Sequence, residues 1–240
     1  MDLKEENILG SAIYNHWYYV SKGKALSHFL GDLRIPEVLD VGAGSGIFSR
    51  QLLDVSVCQS ALCIDPFYED ERAESHNGKP IAFVRQVDQV TQKLILMMDV
   101  LEHVDDDVEL LRQYADPMSE DSHILITVPA FQMLWSGHDV FLEHRRRYTT
   151  YMLKDTIKKS GLKVEKMRFF FGILFPAALT IRLAKNISRK QGLMEAQSEL
   201  SIYPEWLNSL LISIHNVELK TVFRINKLVG VSIFCLCRKS

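Results

Sequence analysis

From about residue 36 onward, short apolar runs alternate with helix-forming stretches. The run Leu94–Asp99, LILMMD, is apolar at every position but the last, the pattern of a strand covered on both faces rather than one. Similar short runs occur at Glu37–Val41, Ala61–Asp65, Ile81–Val87 and His123–Val128, then in LKVEKMRFFF from Leu162 and GVSIFCLCRK from Gly230. Between them lie an apolar-periodic stretch through Ile47, Phe48, Leu52 and Leu53, a helix opened by Asp105-Asp106-Asp107, and another from about Thr150 to Gly161. Carboxylates at a helix start suit its positive end, and glycine is a natural residue just past a helix. Seven strands alternating with helices predict an α/β fold with a mostly parallel sheet and helices on both faces. A helical N-terminal cover (1–33) and a helical insertion (175–227) before the last strand complete a single domain.

In such a sheet, ligands bind at the carboxyl ends of the strands. The first strand runs directly into Gly42-Ala43-Gly44-Ser45-Gly46. A nucleotide triphosphatase loop needs Lys-Ser/Thr after its last glycine, and here Ile47-Phe48 follow. A dinucleotide fold wants a third glycine where Ile47 stands, and Asp40 would repel a pyrophosphate. An acid at that position suits a ligand with a cationic end.

The segments VLDVGAGSG, CIDP and MMDVLEHVDDD, in this order and spacing, resemble the class I S-adenosylmethionine-dependent methyltransferases over most of Glu37–Gly161. The resemblance implies a Rossmann-like sheet of order 3-2-1-4-5-7-6 with strand seven antiparallel, and S-adenosylmethionine as cofactor. It assigns Gly42, Ala43, Gly44 and Gly46 to the loop under the methionine part of the cofactor, with Asp40 supporting that loop. It puts Asp65 on the ribose, Pro66 against the adenine, and Asp99 and Val100 beside the methionine moiety. Asp88 matches the acid near the adenine amino group, with Gln86 as an alternative register.

The block Val128–Thr149 overhangs the site after strand five. Its Trp-Ser-x-His-Asp core and His-Arg-Arg-Arg-Tyr-Thr end resemble a bacterial subgroup of the same family, as does HWYY at His16–Tyr19. Lys22 and Lys24 meet that subgroup's basic positions, with Val20 where arginine is common. His103 and His144 are the candidate catalytic residues. Trp135, His138, Asp139, Arg145, Arg146 and Tyr148 are the candidate acceptor contacts; Arg145–Arg147 cannot all face one way.

The expected activity is methyl transfer to a small-molecule or lipid- or sugar-linked acceptor. No Asn/Asp-Pro-Pro-Tyr/Phe or Pro-Cys follows strand four, against adenine, glutamine and cytosine chemistry of those kinds. Alternatives are an inactive cofactor-binding or interaction protein on the same fold and, further off, an NAD-dependent dehydrogenase. A net charge of -2 provides no general field for nucleic acid. Four cysteines without CxxC spacing predict reduced thiols, a cytoplasmic location and no metal site, with Cys235 and Cys237 on opposite strand faces. Phe169–Ile181 is too short to span a bilayer. Followed by Arg182, Lys185, Arg189 and Lys190, it suggests peripheral membrane contact, against the plainer reading of a core segment with solvated charges.

Overall fold

The fourth strand of the sequence pattern, Leu94–Asp99, shows how the sheet is covered. In the computed structural model, which describes residues 3–188 and 195–240, the helices α1 (Leu3–Leu9) and α2 (Trp17–Leu30) precede β1 (Ile35–Val41) and α3 (Ile47–Asp54). The chain continues through β2 (Cys58–Ile64), β3 (Arg72–His76), β4 (Lys79–Val84), β5 (Leu94–Met98), α4 (Asp107–Ala115) and β6 (His123–Pro129). It ends with α5 (Gly137–Phe141), α6 (Thr150–Lys159), β7 (Leu162–Phe170), α7 (Phe175–Ser188), α8 (Glu205–Thr221) and β8 (Ser232–Lys239). All five residues of β5 are buried: Leu94, Leu96 and Met98 join one apolar cluster, and Ile95 and Met97 join the cluster on the other face. The two-residue pleat divides an unbroken apolar run between two helical layers.

The sheet order is β3-β4-β2-β1-β5-β6-β8-β7. The strands β1, β2, β4, β5 and β6 pair in parallel, and β8 is antiparallel to both β6 and β7. Without β3 this is the seven-strand order implied by the resemblance. The additional β3 forms an antiparallel hairpin with β4. Its turn is Asn77-Gly78, both at positive φ (+52° and +78°), the geometry that matches hairpin twist.

Local signals set several boundaries. Asp106 caps α4, its carboxylate accepting from the Glu109 N–H at 2.9 Å. Gly161, just beyond α6, takes φ +75°. All four cysteines are buried and free. Cys235 and Cys237 lie in the same core cluster, not on opposite faces, because residues two apart on a strand share a side.

The apolar run from Phe169 also resolves differently from a membrane-facing segment in one respect. Phe169, Phe170 and Phe171 are core residues, and no described helix is long and apolar enough to cross a membrane. Arg182 is buried, donating to the Leu134 carbonyl and, at 2.6 Å, to Glu199 Oε2. Its charge is thus turned inward and taken up by a carboxylate. Arg189 and Lys190 lie outside the described residues.

Candidate active site

The carboxyl ends of β1, β5 and β6 open into a cavity of about 620 Å³. Its wall on the first strand is Asp40, Gly42 and Ala43. The glycines Gly42, Gly44 and Gly46 all have positive φ, between +54° and +71°, which L side chains rarely adopt. A Cβ on Gly46 would lie 2.8 Å from Phe83, and one on Gly42 3.1 Å from Val100 Cγ2. The loop therefore packs its backbone against neighbours that no side chain could share. Asp40 is buried and accepts from Ser49 Oγ at 2.7 Å, tying the strand end to the first turn of α3. Asp65, buried just after β2, accepts from the Gly44 N–H at 3.2 Å and the Phe67 N–H at 3.0 Å.

A second wall is built by α2. His16 caps this helix through the Tyr18 N–H and faces the Ser201 carbonyl at 3.2 Å. Trp17, Tyr18 and Tyr19 line the cavity. Lys22 is fully buried and donates to Asp99 Oδ2, which the Tyr18 hydroxyl also approaches at 3.3 Å. Asp99 itself sits at φ +56° and accepts from Thr127 Oγ1 at 3.0 Å. Burial opposes its ionisation, but the Lys22 ammonium, the Thr127 hydroxyl and His144 together overcome burial and hold the carboxyl below the usual range. Burial and then the Asp99 charge push the Tyr18 hydroxyl well above its ordinary value, so it stays a donor.

The third wall carries Glu102, His103, Trp135, His138, His144 and Arg147. The Arg145 N–H donates to the Glu102 carbonyl at 2.6 Å, joining this stretch to the turn after β5. Asp139 organises the block. Its Oδ1 accepts from Arg147 Nε at 2.7 Å and faces His144 Nδ1 at 2.9 Å, while Oδ2 accepts from Arg147 Nη2 at 3.0 Å and the Ser136 N–H at 2.8 Å. Burial would raise the Asp139 carboxyl, yet the hydrogen bond to His144 and the Arg147 charge hold it well below the usual aspartate value. Glu102 differs: burial and then the Asp99 charge push its carboxyl well above the usual range. His103 is drawn down to about 3 by burial and then by His144, so it is neutral near pH 7. The His103 and His144 rings stand edge to face, 4.7 Å between centroids.

The cavity thus gathers Asp40, Gly42, Ala43 and Asp99 from the expected cofactor set, Trp135 and His138 from the expected acceptor set, and both candidate catalytic histidines. Gly44, Gly46, Asp65, Pro66 and Val100 are not part of its lining. Asp88 and the alternative Gln86 are exposed and outside it. Four expected acceptor contacts are corrected. Asp139 is consumed by the pairs just described. Arg145 is exposed beside Asp105, at 3.4 Å. Arg146 Nη2 donates to the Val104 and Asp105 carbonyls at 2.9 and 2.8 Å. Tyr148 is buried, its hydroxyl against Asp107 Oδ2 at 2.7 Å and the Leu101 carbonyl at 3.1 Å. Charged cavity residues that the sequence reading left out of the site include Glu5, Glu102 and Arg182, brought together from separate segments by the tertiary fold, while Arg147 is the member of the arginine run that reaches the wall.

A family model described as a methyltransferase domain matches residues 14–167. No curated protein matches the chain. Among solved structures, the mitomycin 7-O-methyltransferase MmcR is similar at TM-score 0.53 and 12% identity, covering 93% of this chain and 54% of its own. This chain therefore spans about half the length of that enzyme. A complex of the Haloferax volcanii Trm112 methyltransferase activator with a putative methyltransferase is similar at TM-score 0.53 and 11% identity, covering 95% and 92%. At these identities the likeness is one of fold.

Proposed function

Since the chain belongs to the methyltransferase-domain family, we propose that it is an S-adenosylmethionine-dependent methyltransferase acting on a small or lipid- or sugar-linked acceptor with an apolar body. The observation that carries this reading is one continuous cavity joining the glycine loop to the His103 and His144 wall.

The donor set at the loop fits the cofactor. Asp40 and Asp99 bring carboxylates to that end of the cavity, and the nearby ammonium of Lys22 is already paired with Asp99. This favours a ligand with cationic groups over a dinucleotide, whose phosphates would meet these acids. Gly42 and Ala43 would hold the methionine part beside Asp99, and Asp65 would serve the ribose end. When bound, the cofactor supplies an electrophilic methyl group on a sulfonium.

The remaining work falls to the chain. Leu174, Ala177, Ala178 and Ile181 give the cavity an apolar side from α7, suited to an apolar acceptor body. His103, neutral near pH 7, and His144, fixed by Asp139, stand where an acceptor's proton can be taken up. Tyr19 and Trp17 on one side and Trp135 on the other limit water.

Isothermal titration tests the reading. Wild type is expected to bind S-adenosylmethionine, and Asp65→Ala to lose about 1.5–3 kcal/mol, the range for a charged hydrogen-bond partner. Binding of NAD with none of S-adenosylmethionine or its demethylated product would overturn it.

A further inference from the structure

We propose that Glu102, His103 and His144 form a binding site for a first-row transition dication such as zinc, with Asp139 as the residue that orients His144. The three ligand atoms lie within 4.8 Å of one another on the cavity wall. Tetrahedral zinc with bonds of about 2.0–2.1 Å sets its ligand atoms roughly 3.3 Å apart, so small side-chain rotations close the site.

A separate observation points to a missing ligand. Glu102 is fully buried, and neither of its carboxyl oxygens has a hydrogen-bonding partner on another of the described residues. Buried carboxyl oxygens normally have such partners, and an unpaired one calls for an explanation such as an ion. The orientation of His144 agrees. Its Nδ1 faces Asp139 at 2.9 Å, leaving Nε2 for the ion in the carboxylate–histidine–metal arrangement that fixes ligating imidazoles. Asp139 is in turn held by Arg147 and the Ser136 N–H, so the ring has little freedom.

Ligand chemistry selects the ion. Two imidazoles and one carboxylate suit zinc or a neighbouring transition dication, whereas magnesium and calcium prefer oxygen throughout. Three protein ligands leave a position open toward the cavity, where an acceptor hydroxyl could coordinate and become more acidic. In that case the two histidines are ligands rather than proton acceptors. This role rests on the methyltransferase reading; binding of the ion does not.

The test is zinc titration of the metal-stripped, cofactor-free full chain, with cobalt ligand-field absorption as a second readout. The expected result is one equivalent bound by wild type. Affinity should fall at least tenfold in Glu102→Gln and His144→Ala, and 10–100-fold in Asp139→Asn, the usual effect of losing a carboxylate behind a ligating histidine. Exposed Asp105→Asn should bind as wild type does. Wild type that takes up no zinc, or Glu102→Gln and His144→Ala variants that bind it as tightly, overturns the site. Circular dichroism establishes that the variants are folded, and Glu102→Gln is close to isosteric should His144→Ala fail. S-adenosylmethionine titration in parallel separates the two readings. Cofactor binding without zinc sinks only the metal site, and zinc binding without the cofactor sinks only the proposed activity.

Discussion

Gly46 and Gly161 share a backbone geometry, φ +71° and +75°, but not an environment. A Cβ on Gly161 meets nothing within 4 Å, while one on Gly46 meets Phe83 Cε1 at 2.8 Å and Cys63 Sγ at 3.4 Å. Phe83 is fully buried and cannot yield freely. Gly161→Ala should therefore cost about 1–2 kcal/mol, the price of a left-handed L residue. Gly46→Ala should cost about 1–3 kcal/mol more through overpacking. Urea unfolding of both variants measures the difference, and equal losses would mean that Phe83 moves aside. The arginine run offers the same lesson on side-chain surroundings. Arg145, Arg146 and Arg147 are identical in type and adjacent, yet only Arg147 reaches the cavity wall, because only it meets a buried carboxylate there.

At the scale of elements, the segment from Glu195 to Tyr203, which has no regular secondary structure, lines the cavity and is tied to the block after β6 and to α7. The Glu199 N–H donates to His138 Nδ1 at 3.1 Å, the Gln197 N–H donates to the Gly137 carbonyl at 3.1 Å, and Arg182 grips the Glu199 carboxylate. For His138 to accept at Nδ1 it must be neutral. Burial outweighs the Glu199 and Asp139 charges and lowers it to about 4. Its folded value therefore lies below its ordinary 6.5. The stability it supports is fully present above about 6.5 and is lost progressively as pH falls toward about 4. Hydrogen exchange over 195–203 should show protection fading in that window. In His138→Asn, whose side chain does not titrate, the fading should be smaller; an unchanged pH profile would assign it to another group. The hairpin of β3 and β4 is a contrasting element. Its turn was visible as Asn77-Gly78, but Arg72–His76 has no apolar alternation, since four of its five residues are exposed at the sheet edge.

For the molecule as a whole, the cavity is closed by parts distant in sequence: α2 before the sheet, the block after β6, and α7 and 195–203 before β8. A ligand held among them should stabilise the whole fold. At 100 times its dissociation constant, S-adenosylmethionine should add about 2.7 kcal/mol, raising the melting temperature of a chain of this size by roughly 5–10 °C. Thermal scans with and without the cofactor check this, and no shift at saturating concentration would argue against a site closed by these parts. Sequence alone determined the α/β class, the order of seven strands through its family resemblance, and the glycine loop after β1. Those are local or one-dimensional signals: apolar runs, turn residues and a strand-end acid. The tertiary structure decided which face each polar side chain of the HRRRYT block takes. It turned Tyr148 and Asp139 inward to satisfy buried partners, drew Arg182 into an ion pair, and set Glu102 and His103 beside His144. Spacing along the chain could not show that cluster, because its members come from two loops that meet only when β5 and β6 pair.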